Sequence, residues 1–132
     1  MAQRAALAAL QEGPSWVQQR VKTLLANREL ARDALACLGE DAIKGGEGGI
    51  YFWTKLPDRF QDDRVVVKWL IDRHGVAVIP GSASGGKGHI RIAFGNLGED
   101  KYRKAASRLK SGLEELLNFN ASEVEDFKKN LS

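Results

Sequence analysis

A chain of 132 residues, 43% hydrophobic and 28% charged, is long enough for one domain with a real core and too short for two ordinary ones. Its 20 Lys and Arg against 17 Asp and Glu leave a net charge of +3, spread without a long basic run, and no RNA- or DNA-binding motif is present, so nucleic acid is not an expected partner. No apolar run reaches the length of a bilayer crossing, the N-terminus lacks a signal peptide's uninterrupted apolar core, and the single Cys37 cannot form an internal disulfide, so a cytoplasmic protein with no membrane association is expected.

Ala2 to Gln11 is rich in alanine, with Leu7 and Leu10, and Gly13 and Pro14 then stop this first helix. Ser15 is placed to cap a second, longer helix in which Trp16, Val17, Val21, Leu24, Leu25, Leu35 and Leu38 recur near helical spacing until Gly39. At 1.5 Å per residue it would run about 35 Å, enough to bridge two bodies of protein or to pack along one. Cys37, among Ala34, Leu35 and Leu38, reads as a buried structural thiol and not as a nucleophile.

Lys44 to Gly49, KGGEGG, leads into the strand-like IYFWTKL. Glycine loops that cradle phosphate open a helix, so a turn is the expectation here. From Ile50 to Lys55 both faces are apolar or aromatic, Ile50 and Phe52 against Tyr51 and Trp53, which predicts a strand covered on both sides. Beyond Pro57, Asp62 and Asp63 favour the start of a helix carrying Val66, Trp69 and Leu70 on one stripe, and His74 followed by Gly75 favours its end. His74 is accordingly expected at a helix C-terminus and not in catalysis. Val76 to Ile79 reads as a short apolar strand closed by Pro80 and Gly81.

Gly81 to Lys87 matches the first seven positions of the phosphate-binding GxxxxGK[ST] pattern. The match fails at Gly88, which offers no hydroxyl for magnesium, and the loop feeds a strand, so no helix N-terminus would face a phosphate. That strand, HIRIAF, sends Ile90, Ile92 and Phe94 to one face and His89, Arg91 and Ala93 to the other. Two readings of Arg91 stay open from the strand alone. It is either a solvated arginine on an open sheet face or a planar fork held for a carboxylate or phosphate. From Leu97 a helix is expected, with Glu99 and Asp100 at its positive end and Tyr102, Ala105, Leu109, Leu113, Leu116 and Leu117 in one stripe, packed on the face of Ile90, Ile92 and Phe94. Asn118 to Ser132 reads as a polar, mobile tail in which Ser122 to Glu125 could cap one short turn.

The run GGIYFWTKLP, a helix, then HGVAVIPGSASGGKGHIRIAFGNL and a final amphipathic helix ending in LEELL resembles the C-terminal part of class I/II pyridoxal phosphate dependent aminotransferases, the fold type I family. There a strand-turn of the form VxxxPGSxFG precedes IRI or IRISF. The likeness covers about Gln3 to Leu117, including QRAALAAL and EGPSWV, and order, spacing and composition agree over most of it. It implies an α+β fold: a small, mostly antiparallel sheet packed with helices and preceded by a long connecting helix. The implied division is an N-terminal and connecting helix over 1–40, a small domain over 41–117 and a polar tail over 118–132. By the same likeness Arg91 matches the arginine that grips the substrate α-carboxylate, and Tyr51 corresponds to an aromatic position lining that pocket. Ser84 stands where relatives often carry an aromatic residue or cysteine, so a side-chain preference does not transfer.

The resemblance also says what to expect elsewhere. The family's cofactor lysine, its phosphate-binding serine and arginine, the aspartate on the pyridine nitrogen and the ring-stacking aromatic belong to a larger domain upstream of Gln3. Lys44, Lys55, Lys68 and Lys87 do not sit in the cofactor-lysine motif. The chain is therefore expected to be a fragment, with no catalytic residue or metal ligand of its own, no bound cofactor and no activity alone. The complete enzyme would use pyridoxal phosphate to move an amino group between an amino acid and a 2-oxo acid, commonly as a homodimer. The rival reading is a non-catalytic interaction module of the same fold that presents Tyr51, Trp53 and Arg91 to a protein partner.

Overall fold

A computed structural model describes residues 1–119 together with 123, 126 and 129. The expected mobile tail and its Ser122 to Glu125 cap fall largely outside the described residues. Helix α1 spans Ala2–Gln11, and α2 spans Gly13–Leu35. Gly13, at φ +74°, makes the break between them with a backbone conformation that a side chain would disfavour. Helix α2 starts there, with Pro14 in its first turn and Glu12 at the N-cap position, so Ser15 is not its cap. A 3-10 turn, Ala36–Leu38, follows α2, and Gly39, at φ +91°, separates it from a second 3-10 turn, Glu40–Ala42, that leads into the sheet.

The sheet has four strands, β1 Ile43–Gly45, β2 Tyr51–Lys55, β3 Ile79–Pro80 and β4 His89–Ala93, in the order β1-β2-β4-β3 with every neighbouring pair antiparallel. This is the α+β arrangement implied by the sequence, with two departures. The glycine run is the expected turn, joining two strands of a hairpin, but Ile43–Gly45 in front of it is a strand the sequence reading missed, because two of its three residues, Lys44 and Gly45, carry no strand signal. Val76 to Ile79 yields only the last residue of the expected strand. The Val76 N–H bonds back to the Leu70 carbonyl, wrapping the end of the preceding helix before the chain can extend.

That helix, α3, runs Asp63–His74. The Asp62 carboxylate accepts from the Val65 N–H at its start, and Gly75 ends it in the left-handed region at φ +62°. Helix α4 runs Glu99–Asn118 and buries Tyr102, Ala106, Leu109, Gly112, Leu113 and Leu116. Ala105 and Leu117, assigned to the stripe from sequence, lie at its margin, while Gly112 belongs to it because α3 crosses there. A Cβ on Gly112 would fall 2.6 Å from Leu70 Cδ2. The core unites the Phe52, Ile90, Ile92 and Phe94 face of the sheet with α3, α4 and the C-terminal half of α2 through Ala31, Ala34 and Leu35. The N-terminal half of α2 behaves differently. Trp16, Val17, Val21 and Leu25 keep about half their surface in solvent, and α1 buries nothing. Cys37 is half-buried, less than expected, and loss of solvent, with Glu114 nearby, pushes its thiol pKa up.

Candidate functional site

The sheet's two faces are unlike. On the core face Phe52 stands opposite Ile92 and Thr54 opposite Ile90. On the other face Arg91 of β4 is flanked by direct cross-strand partners on both sides, Trp53 of β2 and Ile79 of β3. Direct antiparallel partners share a face with Cβ atoms about 4.5–5.5 Å apart, so the arginine stem runs up between two apolar walls. Its guanidinium leans along β2 and lies over the Tyr51 ring at 4.7 Å. The two residues singled out from sequence, 40 positions apart, are thus brought into contact.

The guanidinium Nε is buried and has no hydrogen-bond partner. Among the described residues no carboxylate pairs with Arg91. A cation half out of water, whose nearest complement is a ring face, is under-compensated, since cation–π attraction is worth about 0.5–2 kcal/mol and an unsatisfied buried donor costs about 1–3 kcal/mol. An anion on the terminal edge of the fork would compensate it. Because Nε is shielded, that edge is the part available, and it suits a carboxylate held by two parallel bonds.

Neighbouring groups hold this face still. The His89 imidazole stacks on Trp53 with ring centroids 5.2 Å apart and planes 20° from parallel. His89 Nδ1 lies 2.8 Å from the Lys87 carbonyl, which can only accept, so Nδ1 carries the proton. Gly86 packs on the indole edge, where a Cβ would come within 2.4 Å of Trp53 Cζ2. The turn that supplies Gly86 is pinned by Asp63, which is buried and accepts from the Ser82 N–H at 2.6 Å, while Arg64 Nε donates to Ser82 Oγ at 3.2 Å. The far end of β4 is fixed by Asn27 of α2, whose Nδ2 donates to the Phe94 carbonyl at 3.1 Å and the Leu97 carbonyl at 2.8 Å. Tyr102 adds a bond from its hydroxyl to the Ala93 carbonyl, 3.0 Å, and burial pushes its phenol pKa up to about 12.

The face is less covered than the sequence suggested. Tyr51 is 43% exposed and Trp53 is half-buried, so the second side of β2 is only partly covered among the described residues. The GSASGGK segment runs into β4, leaving the phosphate-loop pattern without its helix. His74 closes α3 as expected, with Nε2 3.0 Å from the Glu115 carboxylate. The hydrogen bond from Arg73, burial opposing it, holds Glu115 below the usual carboxylate range. Lys55 is paired with Asp58 at 2.8 Å and Lys68 with Asp72 at 2.6 Å, both on the surface, and no group of three or more metal-ligating side chains occurs among the described residues. These lysines do not fit a cofactor that needs a desolvated amine beside a phosphate cradle, so no step through such a group is derived from this chain. Trp53 is the site residue that sequence reasoning underused: its aromatic character was visible, but its place opposite Arg91 depends on strand register.

Comparison with known proteins places this geometry in context. A family model described as aminotransferase class I and II matches residues 1–109. The chain is 53% identical over 117 residues to an aromatic aminotransferase of Arabidopsis thaliana, covering 89% of this chain and 30% of that protein. It is 30% identical over 121 residues to a probable aspartate/prephenate aminotransferase of Aquifex aeolicus, covering 87% and 30%. Among solved structures, an aromatic aminotransferase from Pyrococcus horikoshii OT3 matches with a TM-score of 0.65 at 25% identity, over 76% of this chain and 27% of that one. An aspartate aminotransferase from Rhizobium meliloti, at 23% identity, shares the fold with a TM-score of 0.68 over 83% of this chain and 30% of that one. The chain spans about three tenths of the length of the curated relatives it matches.

Proposed function

This chain belongs to the aminotransferase class I and II family, and from that premise we propose that it is the substrate-gripping part of an enzyme that moves an amino group between an amino acid and a 2-oxo acid. The observation that carries the proposal is Arg91: a half-buried arginine with a shielded, unpartnered Nε, its guanidinium lying over the Tyr51 ring. Arg91 holds the substrate α-carboxylate by its fork, and Tyr51 fixes the plane of that fork. Fixing the carboxylate fixes the orientation of the α-carbon, and orientation is the protein's share of the work. Pyridoxal phosphate, when bound to the complete enzyme, supplies the electron sink; the residues that hold it are not assigned to this chain.

Several expectations extend the proposal: the division at 40/41 and 117/118, amino acids and 2-oxo acids as substrates, a homodimeric complete enzyme, and a cytoplasmic location that suits the lone thiol. No helix among the described residues is long and apolar enough to cross a membrane. The test is to isolate the longest natural polypeptide containing this sequence and to compare it with the 132-residue chain for transamination and for cofactor retained after dialysis. Transamination by the longer polypeptide, lost on Arg91→Ala, supports the reading. A cofactor linked by reduction to one lysine of the 132-residue chain, or a longer polypeptide with no transaminase activity, refutes it and favours an interaction module.

A further inference from the structure

Positive charge is densest in α4. Residues 101–110, KYRKAASRLK, carry five cations and no acid, and no other ten-residue stretch of the chain holds as many cations. The helix turns all five outward. Lys101, Arg103, Lys104, Arg108 and Lys110 are exposed, while Tyr102, Ala106 and Leu109 between them are buried. At 1.5 Å per residue the cations form a band about 14 Å long on the solvent side of the helix. Two of them are held in place: Arg103 is bonded to Glu99 at 2.7 Å, and Arg108 donates to the Gly75 carbonyl at 3.1 Å. Lys101, Lys104 and Lys110 form no ion pair among the described residues. Arg103, Lys104, Ser107 and Arg108 surround a shallow depression in the middle of the band.

Such a band is costly to the chain by itself. Lys101 and Lys104 are three apart and Lys104 and Arg108 four apart, spacings at which like charges repel on a helix. Lys101 also stands in the first turn of α4, at the end where the aligned peptide dipoles already place positive charge. A helix face that serves solubility alone mixes its signs, as α3 does by pairing Lys68 with Asp72.

We infer that the exposed face of α4 is a docking surface for a short acidic segment of another protein, a run of Asp and Glu side chains that the band of cations complements. Two features select this partner among anions. The band is bounded by acids at both ends, Glu99 and Asp100 before it and Glu114 and Glu115 after it, so a long polyanion such as a nucleic acid strand would run onto like charge. From 101 to 110 no aromatic ring is exposed to stack a base, and no large apolar side chain is exposed to enter a bilayer. The inference does not depend on the reading of Arg91.

The test titrates the 132-residue chain into a dye-labelled oligoglutamate at low ionic strength and follows fluorescence anisotropy, beside a short single-stranded oligonucleotide and vesicles of phosphatidylcholine and phosphatidylserine. Lys101→Gln with Lys104→Gln and Lys110→Gln removes the unpaired part of the band and leaves Arg103 and Arg108 in their bonds. As a control, Lys22→Gln with Lys44→Gln and Lys87→Gln removes the same net charge from exposed sites outside α4. The expected result is that oligoglutamate binds most tightly and loses affinity as salt is added. The α4 triple variant should weaken it about 3- to 100-fold, the product of three exposed ion pairs, and the control by less than about 2-fold. No binding of oligoglutamate, or an equal loss in both triple variants, overturns the inference. Tighter binding of the oligonucleotide or of the vesicles overturns it in favour of a nucleic acid or a membrane surface.

Discussion

Asn27 ties the long helix to the segment just after the strand that carries Arg91, and its removal can be costed from the geometry. It is 2% exposed and donates to two carbonyls, those of Phe94 and Leu97, at the point where β4 gives way to the turn before α4. Asn27→Ala deletes both bonds and strands two acceptors. At about 0.5–1.5 kcal/mol for each net bond the loss is about 1–3 kcal/mol, and the small cavity left behind adds to it. One term opposes this. Asn27 Oδ1 is itself buried without a partner, and its desolvation cost disappears with the side chain. The expected net effect is about 2–3 kcal/mol, measured as a fall in the urea midpoint at unchanged m-value. Asn27→Asp separates the causes. It keeps the volume, but when ionised it sets a carboxylate against two carbonyls, so it should be the worse variant at pH 7 and should recover in part near pH 4 as the carboxyl takes up a proton. A loss under 0.5 kcal/mol for Asn27→Ala, or equal stability of Asn27→Asp at both pH values relative to wild type, would refute the claim that these bonds hold β4 to α2.

Three further outcomes follow from the same geometry. In an active longer polypeptide, Arg91→Ala should cost about 2–5 kcal/mol in kcat/KM for amino acid substrates, roughly 30-fold to several thousand-fold, with Arg91→Lys intermediate and amines lacking a carboxylate little affected. Equal losses for both substrate kinds would make Arg91 merely structural. The Tyr102 phenol, raised to about 12 in the folded state against about 10 unfolded, favours the native protein only while protonated. Its contribution is complete below about pH 10 and is lost as pH rises toward 12. The full span would be about 2.7 kcal/mol and solvent screening lowers it to about 1–2 kcal/mol, so thermal melts between pH 9 and 11.5 should fall more steeply for wild type than for Tyr102→Phe. Finally, Trp16, Val17, Val21 and Leu25 stay largely exposed along α2, so the chain should self-associate with concentration, and Val21→Glu with Leu25→Glu should shift sedimentation toward monomer. A strictly monomeric wild type at high concentration would count against this.

What could be read from the sequence, and what could not, divides along physical lines. Local signals were legible: the period-2 pattern of HIRIAF put Ile90, Ile92 and Phe94 in the core and Arg91 opposite, and Asp62 and Gly75 marked both ends of α3. Signals that depend on partners were not. The apolar recurrence through Trp16, Val17, Val21 and Leu25 is identical in kind to that of Ala31, Ala34 and Leu35, yet only the latter meets the core. Periodicity reports that a helix has a face to bury and does not report where the covering surface lies. The same limit applies to β2, whose second apolar face predicted a cover that the described residues provide only in part, at Trp53 and not at Tyr51. Register is the other hidden variable. Nothing in IYFWTKL or HIRIAF says which aromatic faces the arginine, and a shift of two residues would preserve both patterns while setting Tyr51 in place of Trp53 opposite Arg91. The close contacts at Gly86 and the pinning of its turn by Asp63 help exclude that shift, because the indole needs the missing Cβ where it lies. The surroundings of Arg91 are therefore specified twice, by the alternation that turns it outward and by the turn that decides what stands beside it.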